Sequence, residues 1–419
     1  LVSEALHDYT VATRLPESFV QKLAIAQSSA YEAWVKAREA SSFADFQPHL
    51  QGMVDLMLEK ADHLGYEGSP YNALLDEYER GMTADYLGGL FGDLAPRQSA
   101  LVDRIVNAPN QPDLGWLDQE WDPDTQWKLS VKILKEMGYD FEAGRQDKSV
   151  HPFSINFDTT DVRITTRVNP KDLFSGLMGS MHEGGHALYE QGIDPALEGT
   201  LLAGGTSAGV HESTSRLWEN LVGRSLPFWR FYYPRFQAAF PEQLGNVSLD
   251  TFHRAINKVQ RSLIRTEADE MTYDLHVMLR FDFEIEMLEG KLDVKDLPEA
   301  WRERFRQDMG IVPPDDRDGV MQDVHWFWGF VGGAFQGYTL GNMIGAQFFE
   351  AALRDHPEIP AEMEQGELGT LRRWLTDKVY RHGSKFTAAE LVERVTGEPL
   401  GIEPYLRYLN RKFGELYSL

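Results

Sequence analysis

The chain has 419 residues, of which 42% are hydrophobic and 25% charged, enough apolar material for a large core and too much for a disordered chain. Its 65 acidic against 41 basic side chains leave a formal charge of −24, which disfavours nucleic acid and anionic membranes as partners. The absence of cysteine excludes disulfides, thiolate metal sites and cysteine nucleophiles, leaves His, Asp and Glu as ligands for a transition metal, and fits a cytoplasmic location.

Apolar residues recur at helical spacing from the start, as in Phe19, Leu23, Ala26 and Tyr31 or Met53, Leu56 and Ala61, so the fold class reads as all-α. Residues 108–124, rich in Pro, Asn and Asp, predict an irregular passage near Trp116 and Trp121 but no flexible linker. Residues 153–168 change character: Ile155, Phe157, Val162, Ile164, Thr166 and Val168 predict a small hairpin or edge strand. Asn169-Pro170-Lys171-Asp172 then predicts a helix with Asn169 as its N-cap and Pro170 at its first position, running to about Gly192. Residues 199–209 read as a compact connection to a second helix that ends near Gly223, and a longer helical pattern covers 249–288. The longest uncharged apolar stretch, 326–335, is far too short to cross a membrane, and no signal peptide is visible. Without repeats or a Gly/Ser tract, residues 1–419 are expected to form one catalytic unit.

The helix predicted from Pro170 carries His182-Glu183-Gly184-Gly185-His186. Two imidazoles at i, i+4 beside a carboxylate are the geometry of a zinc hydrolase site, with His182 and His186 as ligands. A pentapeptide of this kind arises by chance in roughly 3 per cent of chains of such composition. Gly184 and Gly185 each cost about 1 kcal/mol in a helix relative to alanine, which predicts that a backbone, such as that of a substrate, approaches closely there. A zinc hydrolase needs a third protein ligand, and Glu212, in His211-Glu212-Ser213, is the candidate. Glu190, Glu198 and Glu219 compete with it. Residues 187–197 contain no histidine, which disfavours a metzincin arrangement.

Six ordered motifs carry a family resemblance: His151-Pro152-Phe153, Asp161-Val162-Arg163-Ile164-Thr165, the pentapeptide, His211-Glu212-Ser213, Ile264-Arg265-Thr266-Glu267-Ala268-Asp269, and Gly319-Val320-Met321-Gln322-Asp323-Val324-His325-Trp326. In this order the chain resembles the carboxypeptidase Taq family of metallocarboxypeptidases. The resemblance implies a bilobed, predominantly helical fold related to neurolysin and angiotensin-converting enzyme, with a small β-sheet near the cleft. It also implies a homodimer that uses zinc or cobalt to remove single residues from free peptide C-termini with broad specificity. Family chains usually carry a further helical segment before the residue that is Leu1 here. They also show a Gly-Tyr-Phe-Pro-x-Tyr stretch after the last motif, of which Tyr338 keeps the second tyrosine while the first and the proline are absent.

Glu183, not counted as a ligand, is expected to be the general base and acid. The resemblance points to His325 and Tyr338 as oxyanion donors across the cleft and to His151 as a residue lining the site. The structural alternative for His325 is an aromatic cluster with Trp326 and Trp328, and for His151 a turn before Pro152. A substrate carboxylate calls for an arginine fork, for which Arg163, oriented by Asp161, and Arg265 are the candidates. Surface pairing with Glu267, Asp269 or Glu270 is the alternative for Arg265. The competing functions are an oligopeptidase or dipeptidyl carboxypeptidase of the related helical clan, and a metal-binding scaffold without activity.

Overall fold

The computed structural model describes residues 1–327 and 331–419; Trp328 therefore lies outside the described residues. The chain is predominantly helical with one three-stranded sheet among the described residues, as expected. It folds into two compact units, apart from single terminal residues. One combines Pro109–Lys258 with Leu340–Ser418, the other Val2–Ala108 with Val259–Thr339.

In the first unit, the hairpin predicted within 153–168 consists of β2 (Ser154–Asp158) and β3 (Asp161–Thr166), paired antiparallel. A third strand that the residue pattern does not predict, β1 (Gly144–Lys148), pairs parallel to β3 and makes the strand order β1-β3-β2. Its residues Gly-Arg-Gln-Asp-Lys have little strand propensity, so pairing and not local preference makes them a strand. Val162, Ile164 and Thr166 of β3 are buried on one face and Arg163 is exposed on the other, where Thr165 is covered as well. The covered face meets the helix Leu173–Gln191, hereafter the motif helix. Each strand sends one side chain to it: the Gln146 amide donates to Ser180 Oγ at 2.7 Å, the Thr166 hydroxyl to the Gly176 carbonyl at 2.9 Å, and the Asn156 amide to Glu190 Oε2 at 3.0 Å.

The motif helix starts three residues later than Pro170. Asp172 is the cap, its Oδ1 accepting from the N–H groups of Phe174 at 2.9 Å and Ser175 at 3.2 Å. The carbonyls of Asn169 and Pro170, which an earlier start would have used inside the helix, instead accept from the Gln126 amide at 3.0 Å and the Trp121 N–H at 2.8 Å. Residues 108–124 are pinned by aromatic packing, with Trp116 stacked 5.8 Å from Phe252 and edge-on to Trp121 at 6.1 Å.

The pattern over 249–288 is not one helix. It breaks into Leu249–Ile256 and Tyr273–Leu288. Between them Asp269 accepts from the backbone N–H groups of Gln260 at 2.8 Å and of Met271 and Thr272 at 3.0 Å, taking donors that a continuous helix would pair with carbonyls. Arg265 sits in this break, in a 3-10 turn.

Candidate metal centre

His182, Glu183 and His186 lie in the middle of the motif helix, and Glu212 lies on the helix Ala208–Arg216 packed against it in the same unit. That second helix continues as a π-helical stretch, Leu217–Val222, and is capped at Gly223, where the sequence placed its end. One ligand atom from each of His182, His186 and Glu212 lies within 4.8 Å of the others. Glu212 Oε2 is 3.3 Å from His186 Nε2 and 3.6 Å from His182 Nε2. Three donors each about 2.0 to 2.2 Å from one zinc-like ion must stand roughly 3.3 Å apart in a tetrahedral set, and the two separations from Glu212 match that spacing. With His182 and His186 neutral as ligands and Glu183 ionised, Glu183, Glu190, Glu212 and Glu219 would exceed Arg216 and Arg224 by two negative charges, which a divalent cation would neutralise.

The outer contacts orient the donors. Arg216 Nε donates to Glu212 Oε1 at 2.7 Å, which turns Oε2 towards the histidines, and Ser215 Oγ donates to Oε2 at 3.1 Å. His182 Nδ1 is 3.0 Å from Glu219 Oε2, and His186 Nδ1 is 2.6 Å from His211 Nδ1. Of the acids that competed for third ligand, Glu219 and Glu190 therefore stand behind the histidines, and Glu198 accepts the Thr159 N–H at 2.9 Å. The sequence alone assigns no role to Arg216 or His211. A guanidinium four residues from Glu212 on a helix was the available signal for the first; no local pattern marks the second.

Burial pushes the Glu183 carboxyl up to about 7; His182 pulls it down, and Glu212 and Glu219 push it up further. Burial also lowers His186 to about 4, leaving the neutral imidazole that ligates metals. Burial alone would lower His182 too, but Glu212 and Glu219 outweigh it and raise it to about 9. A metal must therefore displace a proton there.

The two glycines serve the protein's own packing and not a substrate. A Cβ on Gly184 would lie 2.4 Å from Leu134 Cδ2, and one on Gly185 would lie 2.6 Å from Ser215 Cα and 2.7 Å from the Thr214 carbonyl. The expected backbone approach is real, but the backbone is that of the helix bearing Glu212. Gly185→Ala is expected to force this backbone away, destabilising the protein by about 1–3 kcal/mol and weakening metal binding, because it shifts Glu212 against His186. Thermal unfolding with and without added zinc measures both effects.

The remaining candidates divide between the units. In the first, His151 is exposed with Nδ1 2.8 Å from the Pro152 carbonyl, and the Pro152 ring lies 3.6 Å from where a Cβ on Gly179 would stand, one turn before His182. Arg163 pairs in fork geometry with Asp161, at 2.7 and 2.6 Å, and lies over the Phe157 ring on the exposed face of the sheet. In the second unit, Arg265 is 4% exposed and pairs with Asp323, not with Glu267, Asp269 or Glu270. Its Nη1 donates to Tyr273 Oη at 2.7 Å, and Phe335 and Tyr338 cover its guanidinium. Asp323 also takes the His325 backbone N–H at 3.2 Å and meets His325 Nδ1 at 3.1 Å, so one carboxylate holds both side chains. Trp326 faces Trp301 and donates to Glu284 at 2.8 Å.

The family model for the carboxypeptidase Taq (M32) metallopeptidases matches residues 1–413. The chain is 43% identical to thermostable carboxypeptidase 1 of Thermus thermophilus over 426 residues, and 40% identical to carboxypeptidase 1 of Bacillus subtilis over 418 residues. Both alignments take in 100% of this chain and 83% of the relative. The crystal structure of the M32 carboxypeptidase from Deinococcus radiodurans superposes with a TM-score of 0.97 at 45% identity, over 99% of this chain and 83% of that one.

Proposed function

Because the chain belongs to the carboxypeptidase Taq (M32) metallopeptidase family, and so is a metal-dependent carboxypeptidase acting on peptides, we propose that His182, His186 and Glu212 hold the catalytic ion and that Glu183 is the general base and acid. The convergence of two Nε2 atoms and Glu212 Oε2 carries this reading. Zinc suits a nitrogen and oxygen donor set of three, with cobalt as a substitute. When bound, the ion acts as a Lewis acid that polarises the scissile carbonyl and acidifies water. Glu183, one residue from His182 and without a place in the ligand trio, accepts a proton from the attacking water and delivers it to the departing amine nitrogen. Arg216 holds Glu212 in register, and Glu219 holds His182, so the donors need little reorganisation during turnover.

In this proposal residues 1–419 act as one catalytic domain, with His325 and Tyr338 as oxyanion donors, His151 lining the site and an arginine binding the terminal carboxylate. Arg265 is the arginine proposed for this role. Arg163 stands on the exposed sheet face, opposite the one that covers the motif helix; a carboxylate engages the fork of each arginine, Asp161 for Arg163 and Asp323 for Arg265, so the face and not the pairing separates them. A homodimer in the cytoplasm is proposed from the family resemblance and the cysteine-free sequence; light scattering on the purified chain reports the oligomeric state. No described helix is long and apolar enough to cross a membrane.

The deciding assay compares a peptide with a free C-terminus and its amidated twin, before chelation, after chelation and after zinc is restored. Cleavage of the free acid alone, lost on chelation and recovered with zinc, is the expected result. Equal cleavage of the amide, or activity indifferent to metal, overturns it. In the same assay Arg265→Ala raises KM for the free acid at least tenfold, whereas Arg163→Ala leaves it within about threefold, as a lost charged hydrogen bond of about 1.5–3 kcal/mol requires.

A further inference from the structure

The two histidines are backed differently. His182 Nδ1 meets a carboxylate directly, at 3.0 Å from Glu219 Oε2. His186 Nδ1 instead lies 2.6 Å from Nδ1 of a second imidazole, His211, whose Nε2 is 2.7 Å from Glu190 Oε1. The other oxygen of Glu190 accepts from the Asn156 amide of β2 at 3.0 Å.

A hydrogen bond between two imidazole nitrogens needs one N–H and one lone pair. On the reading that His186 is a ligand through Nε2, on which this inference rests, a neutral His186 keeps its proton on Nδ1. It must then donate, and His211 Nδ1 must accept. The His211 proton is thereby confined to Nε2, where Glu190 takes it. One ligand bond thus sets the direction of the whole row. We propose that His211 and Glu190 are positioning residues that fix the tautomer and ring plane of His186, bringing the negative charge of Glu190 to bear through an intervening imidazole.

The row is built into the packing. Glu190 is 4% exposed and follows His186 by four residues on the same helix, so backbone geometry holds the two on one face. His211 precedes Glu212 on the neighbouring helix, so that helix carries both the third ligand and the intervening imidazole. The chain at Gly205 presses on the His211 ring: a Cβ there would stand 2.5 Å from Cδ2. The Tyr189 ring lies 5.2 Å from that of His211, and its hydroxyl accepts the Thr206 N–H at 3.2 Å, tying this loop to the motif helix.

The test measures zinc affinity by competition with a chelator. His211→Phe keeps a ring but removes both contacts and is expected to bind zinc ten- to a hundredfold more weakly, the usual effect of losing an outer partner of a metal-bound histidine. His211→Gln, which offers an acceptor and a donor in the same directions, restores affinity to within about threefold of wild type. Glu190→Gln keeps the shape, removes the charge, and is expected to lose three- to tenfold. In zinc-loaded protein with 15N-labelled histidine, magnetic resonance places the His211 proton on Nε2. A His211 proton on Nδ1, or His211→Phe and Glu190→Gln both binding zinc within a factor of two of wild type, overturns the proposal. If His211→Phe does not fold, Glu190→Gln and the tautomer decide. His186→Ala is the control: if it leaves zinc affinity unchanged, the ligand assignment itself fails, whereas loss in His186→Ala alone discards only the His211–Glu190 relay.

Discussion

Glu183→Gln is expected to retain its metal and to lower kcat by about 10²–10⁴-fold, the range that a positioned general base contributes. Glutamine keeps the size and one hydrogen-bonding oxygen of Glu183 but cannot take up a proton, so both halves of the proton transfer fail together. Metal content and zinc affinity should stay within a few-fold of wild type, because the donor trio does not include this carboxylate. Burial pushes the carboxyl up to about 7, and a nearby divalent cation pulls it down again by favouring the ionised form. The wild-type enzyme should therefore lose activity as pH falls through the Glu183 titration below about 7, since the base must be ionised to act. The variant should lack this limb. A variant with near-normal kcat, or one that loses metal in parallel with activity, would exclude the assigned role.

Glu212→Ala should weaken zinc binding by more than about a hundredfold, beyond the 10–100-fold usual for an outer partner, because a donor is lost and the charge balance moves by one unit. Folding should suffer as well. Arg216, 2.7 Å from Glu212 Oε1 and largely buried, loses that partner and retains its 3.4 Å contact with Glu219. Removing one partner of a buried ion pair costs about 3–5 kcal/mol when nothing replaces it, and the Glu219 contact reduces that figure. Glu212→Gln separates the two effects, since its amide oxygen can still accept from Arg216 while offering the ion no charge. Calorimetric zinc titration of both variants, with urea unfolding alongside, measures each part. Zinc affinity unchanged in Glu212→Ala would transfer the third-ligand role to another acid.

Local features of this fold were legible from residue order. The β-branched run over 153–168 did become a hairpin, and the helical periodicity did become helices. β1 was not legible, because Gly144–Lys148 is polar and becomes a strand only by pairing with β3. Nor was the start of the motif helix. Asn169 and Asp172 are both competent caps, and the choice falls to Asp172 because Trp121 and Gln126, distant in sequence, take the carbonyls that the earlier start would use. Arg265 was read into a continuous helix because its neighbours have helical spacing; the carboxylate of Asp269 interrupts that helix, and the true partner, Asp323, lies 58 residues away.

At the metal centre the division is sharper. His182, Glu183 and His186 share a helix, where the backbone fixes the spacing, so sequence alone determined that two imidazoles and a carboxylate come together. Which acid completes the trio was open among Glu190, Glu198, Glu212 and Glu219. The tertiary structure puts Glu212 beside both Nε2 atoms, Glu219 and Glu190 behind the histidines, and Glu198 on a loop amide, and so favours Glu212. The distance between side chains on different helices depends on how closely the helices pack. Here that closeness comes from Gly185 meeting the backbone at Ser215; the Gly-Gly pair signals a close approach in the sequence, but which backbone makes it is decided only by the tertiary structure.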